Sequence, residues 1–327
     1  MGLLIDGKWE DSWYPTKETG GRFVRSESQF RNTIGADADI EPGRYHLYVS
    51  LACPWASRTL IFRKLKGLEE LIPVSVVHPH MLEQGWSFER DAAATGDRVN
   101  GFDYLHQIYT GAQPGYTGRV TVPVLWDNRE KTIVNNESSE IIRIFNSAFD
   151  RITGNTDDYY PSELAAEIDH WNDFIYPTIN NGVYRAGFAT TQEAYEEAFD
   201  ALFSAMDTLD AHLADKRFLV GGRLTEADWR LFVTLIRFDA VYYSHFKTNL
   251  HQLEDYAHLA PYIRDLYQHP GIAGTVNFAH IKAHYYVSQN TINPSRVVPK
   301  GPLLDYRRPH DRALLGIPSR SRNSGVS

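Results

Sequence analysis

The stretch that decides the fold is RYHLYVSLACPWASRTLIFRKLKGL, residues 44–68. The segment from Tyr45 to Val49 has the aromatic and β-branched residues that are typical of a β-strand. Apolar side chains then recur at helical spacing between residues 60 and 68, and Gly67 offers a helix end. The next apolar run, LIPVSVVHP at 71–79, indicates a second strand. The sequence therefore predicts a strand, a helix and a strand in succession.

Cys53 lies between the first strand and the helix, and Pro54 suits the first helical turn because it needs no backbone partner there. Free N–H groups and the helix dipole favour an anion at that position, so we expect the pKa of this thiol to lie below its usual ~8.5. A lone cysteine is often just a small buried hydrophobic residue. The strand, Cys, Pro, helix order favours a nucleophile instead.

The chemistry of this thiol is predicted to need a second molecule. The chain has one cysteine, and Ala56 occupies the position where a two-cysteine redox motif has its resolving thiol. Attack by Cys53 on a sulfur then leaves a mixed disulfide that an external thiol must resolve. Glutathione is the obvious cytosolic candidate.

Further along the chain the pattern divides into regions. A long insert at about 79–118 separates the first unit from RVTVPVLWD (119–127), a strand whose hairpin partner is KTIVNN, and from an amphipathic helix that begins at Glu137 and Ser138. Beyond about residue 162 the pattern is helical. We predict an α/β plus all-α chain with an extension at 1–44, a mixed α/β domain at 45–150, a helical domain at 151–290 and a tail at 291–327.

Two further elements of the first domain suit a peptide ligand. A cis bond at Val122-Pro123 would leave the N–H and C=O of Val122 free to pair with an extended peptide, although a proline at a strand edge is the alternative. The N–H and hydroxyl of Ser138 suit a carboxylate and Glu137 suits an ammonium group, as on the γ-glutamyl end of glutathione. The alternative is an ordinary helix cap.

The composition excludes several classes of partner. A formal net charge of -8 and a pI near 5.9 argue against nucleic acid and anionic membranes. No stretch approaches the ~20 apolar residues of a membrane span, and a single cysteine fits a reducing compartment. We therefore expect a soluble, cytoplasmic protein that acts on small molecules.

Three smaller patterns received structural interpretations. Thr225 and Asp228 in LTEADWRLF form a capping-box variant at a helix start. His280 and His284 lie four apart on a predicted helix, but without a HExxH glutamate or a third ligand we expect a structural or solvent-facing pair and no metal site. The tail, rich in proline and arginine, is predicted to be extended or mobile.

The ordered set of segments resembles one known family. CPWA in the first helix, RVTVPVLWD, NNESSEIIRIFN, NNGVYRAGFAT and PGIAGTVNFAHIKAHYYVSQNTINP are similar to those of the glutathionyl-hydroquinone reductases, the Xi-class glutathione transferases. The resemblance runs from about Leu3 to Pro302. It implies a thioredoxin-like domain followed by a helical domain, a homodimer, and glutathione-dependent reduction of glutathionyl-hydroquinones in quinone detoxification. It implies no metal or nucleotide.

The resemblance also implies residue roles. Cys53 would be the nucleophile, and Tyr184 and Tyr285 would face the aromatic part of a glutathione conjugate. Five residues would hold glutathione: Trp86, Arg119, Val122, Glu137 and Ser138. Arg119 can fork onto a carboxylate, and Trp86 can cover the tripeptide and exclude water. Two rival readings remain: an omega-like thiol transferase or dehydroascorbate reductase, and a non-enzymatic binding module on the same fold.

Overall fold

The strands form two separate sheets. The computed structural model describes residues 2–35, 37–38, 40–220 and 222–315. Its strands are β1 (Leu3–Ile5), β2 (Lys8–Glu10), β3 (Tyr45–Val49), β4 (Val74–Val76), β5 (Gly118–Arg119), β6 (Val124–Asp127) and β7 (Thr132–Asn135). One sheet has the order β2-β1-β5 and the other β4-β3-β6-β7. In the second sheet β3 and β4 are parallel, whereas β6 is antiparallel to β3 and to β7.

Helices dominate the rest of the chain. They are α1 (Pro54–Leu65), α2 (Leu105–Ala112), α3 (Ser138–Ser147), α4 (Asp150–Thr153), α5 (Ala165–Ile175), α6 (Gly182–Gly187), α7 (Gln192–His212), α8 (Glu226–Leu235), α9 (Tyr243–His245), α10 (Leu259–Gln268) and α11 (Phe278–Ser288). Two π-helical turns, Tyr176–Asn180 and Phe238–Tyr242, precede α6 and α9. Within the described ranges no helix combines the length and hydrophobicity needed to cross a bilayer.

The four-stranded sheet and its helices form a thioredoxin-like domain, as predicted. Every residue of β3 is buried, which explains its continuous aromatic and β-branched composition. The helix α1 connects β3 to the parallel strand β4 and packs against α3. The hairpin of β6 and β7 then leads directly into α3. This order brings the start of α1, the residues before β6 and the start of α3 to one end of the sheet.

The helical domain packs on α1 through α8, and the start of α8 confirms a predicted cap. Asp228 accepts hydrogen bonds from the backbone N–H of Thr225 at 2.9 Å, from that of Leu219 at 2.9 Å and from the hydroxyl of Tyr262 at 2.8 Å. Burial raises the pKa of Asp228 to about 6. The capping carboxylate thus also joins α8 to α10 and to the loop that precedes α8.

The N-terminal segment is integrated with the rest of the molecule. The hairpin of β1 and β2 turns at Asp6 and Gly7, both with positive φ, and β1 pairs with β5. The side chains of Leu4 and Phe23 are buried in the core. This segment therefore reaches both the thioredoxin-like domain and the helical domain, and its residues are available to line a site between them.

The tail, which we predicted to be extended or mobile, is mostly irregular and exposed up to residue 311, but it is packed against the fold at Tyr306 and Arg312. Arg312 is 1% exposed and begins a short 3₁₀ helix, Arg312–Leu314. Its guanidinium donates to the backbone carbonyls that follow α7, those of Leu213, Lys216 and Arg217. A cation is favoured beside the unpaired carbonyls at a helix C-terminus. Residues 316–327 lie outside the described part of the chain.

We predict that Arg312→Met lowers the free energy of unfolding by about 2–4 kcal/mol, because three carbonyls lose their donor. Arg307→Met is the matched control, since Arg307 is exposed in the same segment. Its effect should stay within about 0.5 kcal/mol. Urea denaturation followed by tryptophan fluorescence measures both. Equal, small effects would show that the segment contributes nothing to the fold.

Candidate active site

Cys53 occupies the N-cap position of α1, directly after β3 and one residue before Pro54 at the first helical position. The structure thus confirms the predicted placement at a helix start. Its carbonyl accepts the N–H of Ser57 at 3.0 Å, and its Sγ lies 3.6 Å from the carbonyl oxygen of Val122. The side chain is partly exposed and borders a cleft. The geometry presents one thiol to whatever fills that cleft.

The cleft lies between the two domains and has a volume of about 650 Å³, part of which is open to solvent. Its lining brings together most of the residues predicted from the sequence: Cys53, Trp86, Arg119, Val122, Tyr184 and Tyr285. A neighbouring groove of about 890 Å³ shares Arg119 and Val122 with the cleft and adds Glu137 and Ser138. The structure therefore arranges the predicted residues along one continuous cavity, with the thiol in the first part and the acidic N-cap in the second.

The pKa of Cys53 departs from the sequence-based expectation. Burial in the apolar cleft raises the pKa of the thiol above its ordinary value. The N–H groups of Ala56 and Trp55 at the helix start, and the charges of Arg237 and Arg25, act in the opposite direction. The predicted lowering is therefore wrong for the ligand-free site, because the desolvation of a thiolate outweighs the helix start.

Arg25 is a residue of this site to which no motif in the sequence points. Its guanidinium lies 4.8 Å from the ring centroid of Trp55 and 5.1 Å from that of Tyr184. Its Nε donates to the Oδ1 of Asn181 at 3.2 Å, and within the described residues it makes no ion pair with a carboxylate. Arg25 borders both the cleft and the groove. It adds an unneutralised positive charge beside the thiol.

Three tyrosine hydroxyls form a chain that joins the cleft wall, at Tyr184 and Tyr285, to the buried Tyr242. The hydroxyl of Tyr285 lies 2.5 Å from that of Tyr184 and 2.9 Å from that of Tyr242. Burial raises the pKa of Tyr184 and of Tyr285 well above their usual value, so both stay protonated and can donate. Tyr242 was missed by the sequence analysis. It lies in a π-helical turn, where helical spacing does not indicate which face is inward.

Val122 and Pro123 are joined by a cis peptide bond, as predicted. The N–H of Val122 has no hydrogen-bond partner among the described residues, and its carbonyl oxygen faces the thiol of Cys53. Both backbone groups border the cavity. An extended peptide that enters the groove can pair with them.

The sequence left open whether the start of α3 is an ordinary helix cap or a ligand contact, and its geometry is compatible with both. Glu137 is an ordinary N-cap, because its carboxylate accepts the N–H of Ser139 at 3.0 Å, and it also accepts the hydroxyl of Ser28 at 3.1 Å. It nevertheless lines the groove together with Ser138. The hydroxyl oxygen of Ser138 accepts a hydrogen bond from Arg58 at 3.3 Å. The same helix start can therefore cap the helix and meet a ligand.

Trp86 and Arg119 lie in the cavity but are held differently. The indole of Trp86 stacks on His284, with ring centroids 4.6 Å apart, and forms part of the cleft wall. The guanidinium of Arg119 donates to the backbone carbonyls of Ser12 and Trp13 and lies over the ring of Tyr14. The fork onto a ligand carboxylate that we predicted for Arg119 is thus occupied by the N-terminal segment in this structure.

The histidine pair is buried, so its solvent-facing alternative is wrong. The Nδ1 of His284 lies 3.0 Å from the carbonyl oxygen of Pro79, and the Nε2 of His280 lies 3.5 Å from a carboxylate oxygen of Asp91. Both contacts join α11 to the insert before α2. Within the described residues no three His, Cys, Asp or Glu side chains are grouped as metal ligands. These contacts agree with the structural alternative for His280, whereas His284 also borders the cleft.

A thioredoxin-like domain with a helix-start cysteine, followed by a helical domain that closes the cleft, defines the class of glutathione transferases. Two family models match the chain: Glutathione S-transferase, N-terminal domain, over residues 52–148, and Glutathione S-transferase, C-terminal domain, over 192–265. These matches agree with the predicted order of domains.

Individual relatives narrow the class. The chain is 58% identical over 302 residues to glutathionyl-hydroquinone reductase PcpF of Sphingobium chlorophenolicum, which covers 92% of this chain and 96% of that protein. It is 55% identical over 323 residues to glutathionyl-hydroquinone reductase YqjG of Escherichia coli, covering 95% and 98%. The solved glutathione-bound structure of YqjG matches with a TM-score of 0.89 and 51% identity over 96% of this chain and 99% of that one. The Xi-class structure from Natrialba magadii matches with a TM-score of 0.91 and 50% identity over 96% and 98%.

The chain belongs to the glutathionyl-hydroquinone reductase family, the Xi class of glutathione transferases. The family and the fold class predicted from the sequence are thereby confirmed. The predicted roles of individual residues stay predictions, which the geometry above makes testable.

We predict that Arg25→Met raises the pKa of Cys53 further, because it removes a cation that favours the thiolate. The rate of iodoacetamide alkylation against pH measures this directly, since the chain has one cysteine. In the wild type the midpoint should lie above that of a free thiol, and in the variant it should be higher again. Arg22→Met is the matched control, because Arg22 is an exposed arginine of the same segment that is paired with Glu197. A midpoint that Arg25→Met leaves unchanged would contradict the electrostatic role.

Proposed function

We propose that this protein reduces glutathionyl-hydroquinones to hydroquinones with glutathione as co-substrate, through a mixed disulfide on Cys53. The observation that carries the proposal is the position of a lone helix-start thiol in a cleft whose lining includes Tyr184 and Tyr285, two protonated tyrosines joined through their hydroxyls. The names of the relatives in Sphingobium and Escherichia support it.

In the first step the thiolate of Cys53 attacks the glutathione sulfur of the aryl thioether. The new bond joins the two sulfurs and the carbon–sulfur bond to the ring breaks, so its electron pair stays with the ring. The ring carbon then takes up a proton, which yields the hydroquinone. Cys53 is left as a mixed disulfide with glutathione.

In the second step a free glutathione thiolate attacks the glutathione sulfur of the mixed disulfide. Glutathione disulfide leaves and the thiolate of Cys53 is regenerated. The net reaction consumes one glutathione per glutathionyl-hydroquinone and releases one glutathione disulfide. The two electrons that reduce the ring come from two glutathione sulfurs, the thioether sulfur of the conjugate and the thiol of free glutathione, which leave together as the disulfide, so the balance needs no metal or nucleotide.

The groove suits the tripeptide in one direction. Its cysteinyl backbone would pair with the free N–H of Val122, which places its sulfur near Cys53. Its γ-glutamyl end would then lie at the start of α3, where Glu137 can meet the ammonium group and Ser138 the carboxylate. Trp86 is part of the lining of the cleft and can cover the tripeptide there.

The tyrosines suit the aromatic half of the substrate. Because burial raises the pKa of Tyr184 and of Tyr285 well above the ordinary value, their hydroxyls remain neutral donors at physiological pH. Two of the three hydroxyl hydrogens are used in the hydrogen bonds within the chain, so one remains to be donated to a phenolic oxygen on which negative charge develops as the ring departs. The third hydroxyl, on Tyr242, accepts or donates behind them and fixes the orientation of Tyr285.

The omega-like alternative is a real competitor, since a relative in Schizosaccharomyces pombe that is 48% identical over 294 residues carries the name Glutathione S-transferase omega-like 2. A thiol transferase of that kind needs Cys53 and the groove but not the tyrosine chain. The tyrosines therefore separate the two activities. A homodimer and a cytoplasmic location remain predictions that rest on the family resemblance and on the composition.

We predict that Cys53→Ser lowers turnover of a glutathionyl-hydroquinone by on the order of 10³-fold or more, while the affinity for glutathione stays within about 3-fold. Mass spectrometry of the wild type after incubation with the conjugate alone should find a glutathione adduct on Cys53. The serine variant should carry none. Near-normal turnover by Cys53→Ser would rule out the proposed mechanism, because the chain has no other thiol.

We predict that Tyr184→Phe and Tyr285→Phe depress reduction of a glutathionyl-hydroquinone by about 10²-fold, whereas reduction of a small aliphatic glutathione disulfide changes little. The ratio of the two activities in each variant is the readout, because it cancels losses from folding or glutathione binding. Tyr286→Phe is the matched control, since Tyr286 adjoins Tyr285 on α11 but its hydroxyl bonds to Ser244. If both activities fall together, the omega-like reading is the better one.

A further inference from the structure

Arg58 is a fully buried cation at the glutathione end of the cavity. It lies on α1 and is 1% exposed. Its two terminal nitrogens donate to the hydroxyl of Ser138 at 3.3 Å and to the Oδ1 of Asn180 at 2.8 Å. Its Nε is buried without a hydrogen-bond partner, and in the described ranges of the chain no carboxylate lies at ion-pair distance from it. Burial lowers the pKa of Arg58 to about 9.

A buried guanidinium without an ionic partner lowers the stability of the ligand-free protein. A buried charge without an ionic partner loses hydration and gains little in return. The negative charges that favour it come from Glu137 and Glu226, while Arg230 opposes it. The positive end of α3 lies at the same place and adds to the potential. An anion that enters the groove next to Ser138 would remove this imbalance.

The hydroxyl of Ser138 connects the cation to the groove. Its oxygen accepts from Arg58, and the hydroxyl hydrogen has no acceptor among the described residues. Ser138 is also a wall residue of the groove. The hydrogen is therefore free to be donated to a ligand oxygen, and the donation is strengthened by the charge behind it.

The helical domain fixes the cation in this place. The Oδ1 of Asn180 accepts from Arg58, while its Nδ2 donates to the carbonyl of Arg230 and the hydroxyl of Thr234, both at 2.8 Å. The guanidinium also lies 4.6 Å from the ring centroid of Trp55. Arg58 is thus held by neutral groups and a ring face, none of which cancels its charge.

We propose that Arg58 is a positioning residue for the γ-glutamyl α-carboxylate of glutathione, which it recognises through the hydroxyl of Ser138. This inference rests on the proposed function, since it takes glutathione as the occupant of the groove. The ammonium group on the same carbon then falls to Glu137. The contribution of Arg58 is to the affinity for one functional group of the ligand.

The test compares glutathione with γ-aminobutyryl-cysteinyl-glycine, which is glutathione without that α-carboxylate. Calorimetric dissociation constants are measured in the Cys53→Ser background, so that no disulfide forms. The Cys53→Ser protein, the parent of the variants below, should bind glutathione at least about 10-fold more tightly than the analogue. Arg58→Gln, which keeps polar contacts but no charge, should weaken glutathione binding by about 10-fold and leave the analogue within about 2-fold. Arg58→Lys should retain most of the preference.

Arg63→Met is the matched control. Arg63 is a partly buried arginine of the same helix whose guanidinium donates to the carbonyls of Ile72 and Glu69, away from the cavity. Its loss should reduce stability without changing the preference between the two ligands. A generally disturbed α1 is thereby distinguished from loss of carboxylate recognition.

Each other outcome overturns a stated claim. If Arg58→Gln weakens both ligands equally, or if Arg58→Lys loses the whole preference, the role of Arg58 is structural and the proposed function stands. If Arg58→Gln does not fold, the parent still decides: equal affinities for the two ligands would overturn the inference. If the parent binds neither ligand, the proposed function fails together with it.

Discussion

The position of the nucleophile depends on one buried cation, Arg237. Its guanidinium donates to the carbonyl of Ala52 at 2.9 Å and to the hydroxyl of Ser57 at 2.6 Å, which lie on either side of Cys53. It also donates to the carbonyl of Val233 in α8. The helical domain therefore holds the loop before α1 and the first turn of that helix together. Without this contact two buried backbone carbonyls and a hydroxyl would lack a donor, and the cleft between the domains would lose the wall that carries the thiol.

The packing of the helical domain over the cleft also explains the opposing effects on the pKa of the Cys53 thiol. An aromatic substrate needs an apolar cleft, and such a cleft raises the pKa of Cys53 by desolvating its thiolate. The helix start and the cations Arg237 and Arg25 oppose this effect without adding a group that could react. The site thus combines a closed aromatic pocket with a nucleophile that needs negative charge. The cations reduce the conflict between the two requirements.

The features that could be predicted from the sequence are those decided by neighbouring residues. Cys53 before Pro54, the cis bond at Val122-Pro123 and the cap at Thr225 each depend on local backbone chemistry. The features that could not be predicted from the sequence depend on contacts between distant parts of the chain. Arg25 reaches the ring of Tyr184, and Arg312 meets carbonyls that lie about a hundred residues earlier. The raised pKa of Cys53 could not be predicted for the same reason, because burial is a property of the assembled cleft.

Charge around the cavity follows one physical rule. Arg22 at the surface and Arg31 at the exposed edge of the groove are neutralised by carboxylates, those of Glu197 and Glu140. Arg25 and Arg58, closer to the thiol and to the start of α3, are held by neutral partners: an asparagine oxygen and the face of Trp55. An aromatic face attracts a guanidinium without cancelling its charge, unlike a carboxylate. Positive potential is therefore left available for the anions that the reaction brings together, which are the thiolate and the carboxylates of glutathione.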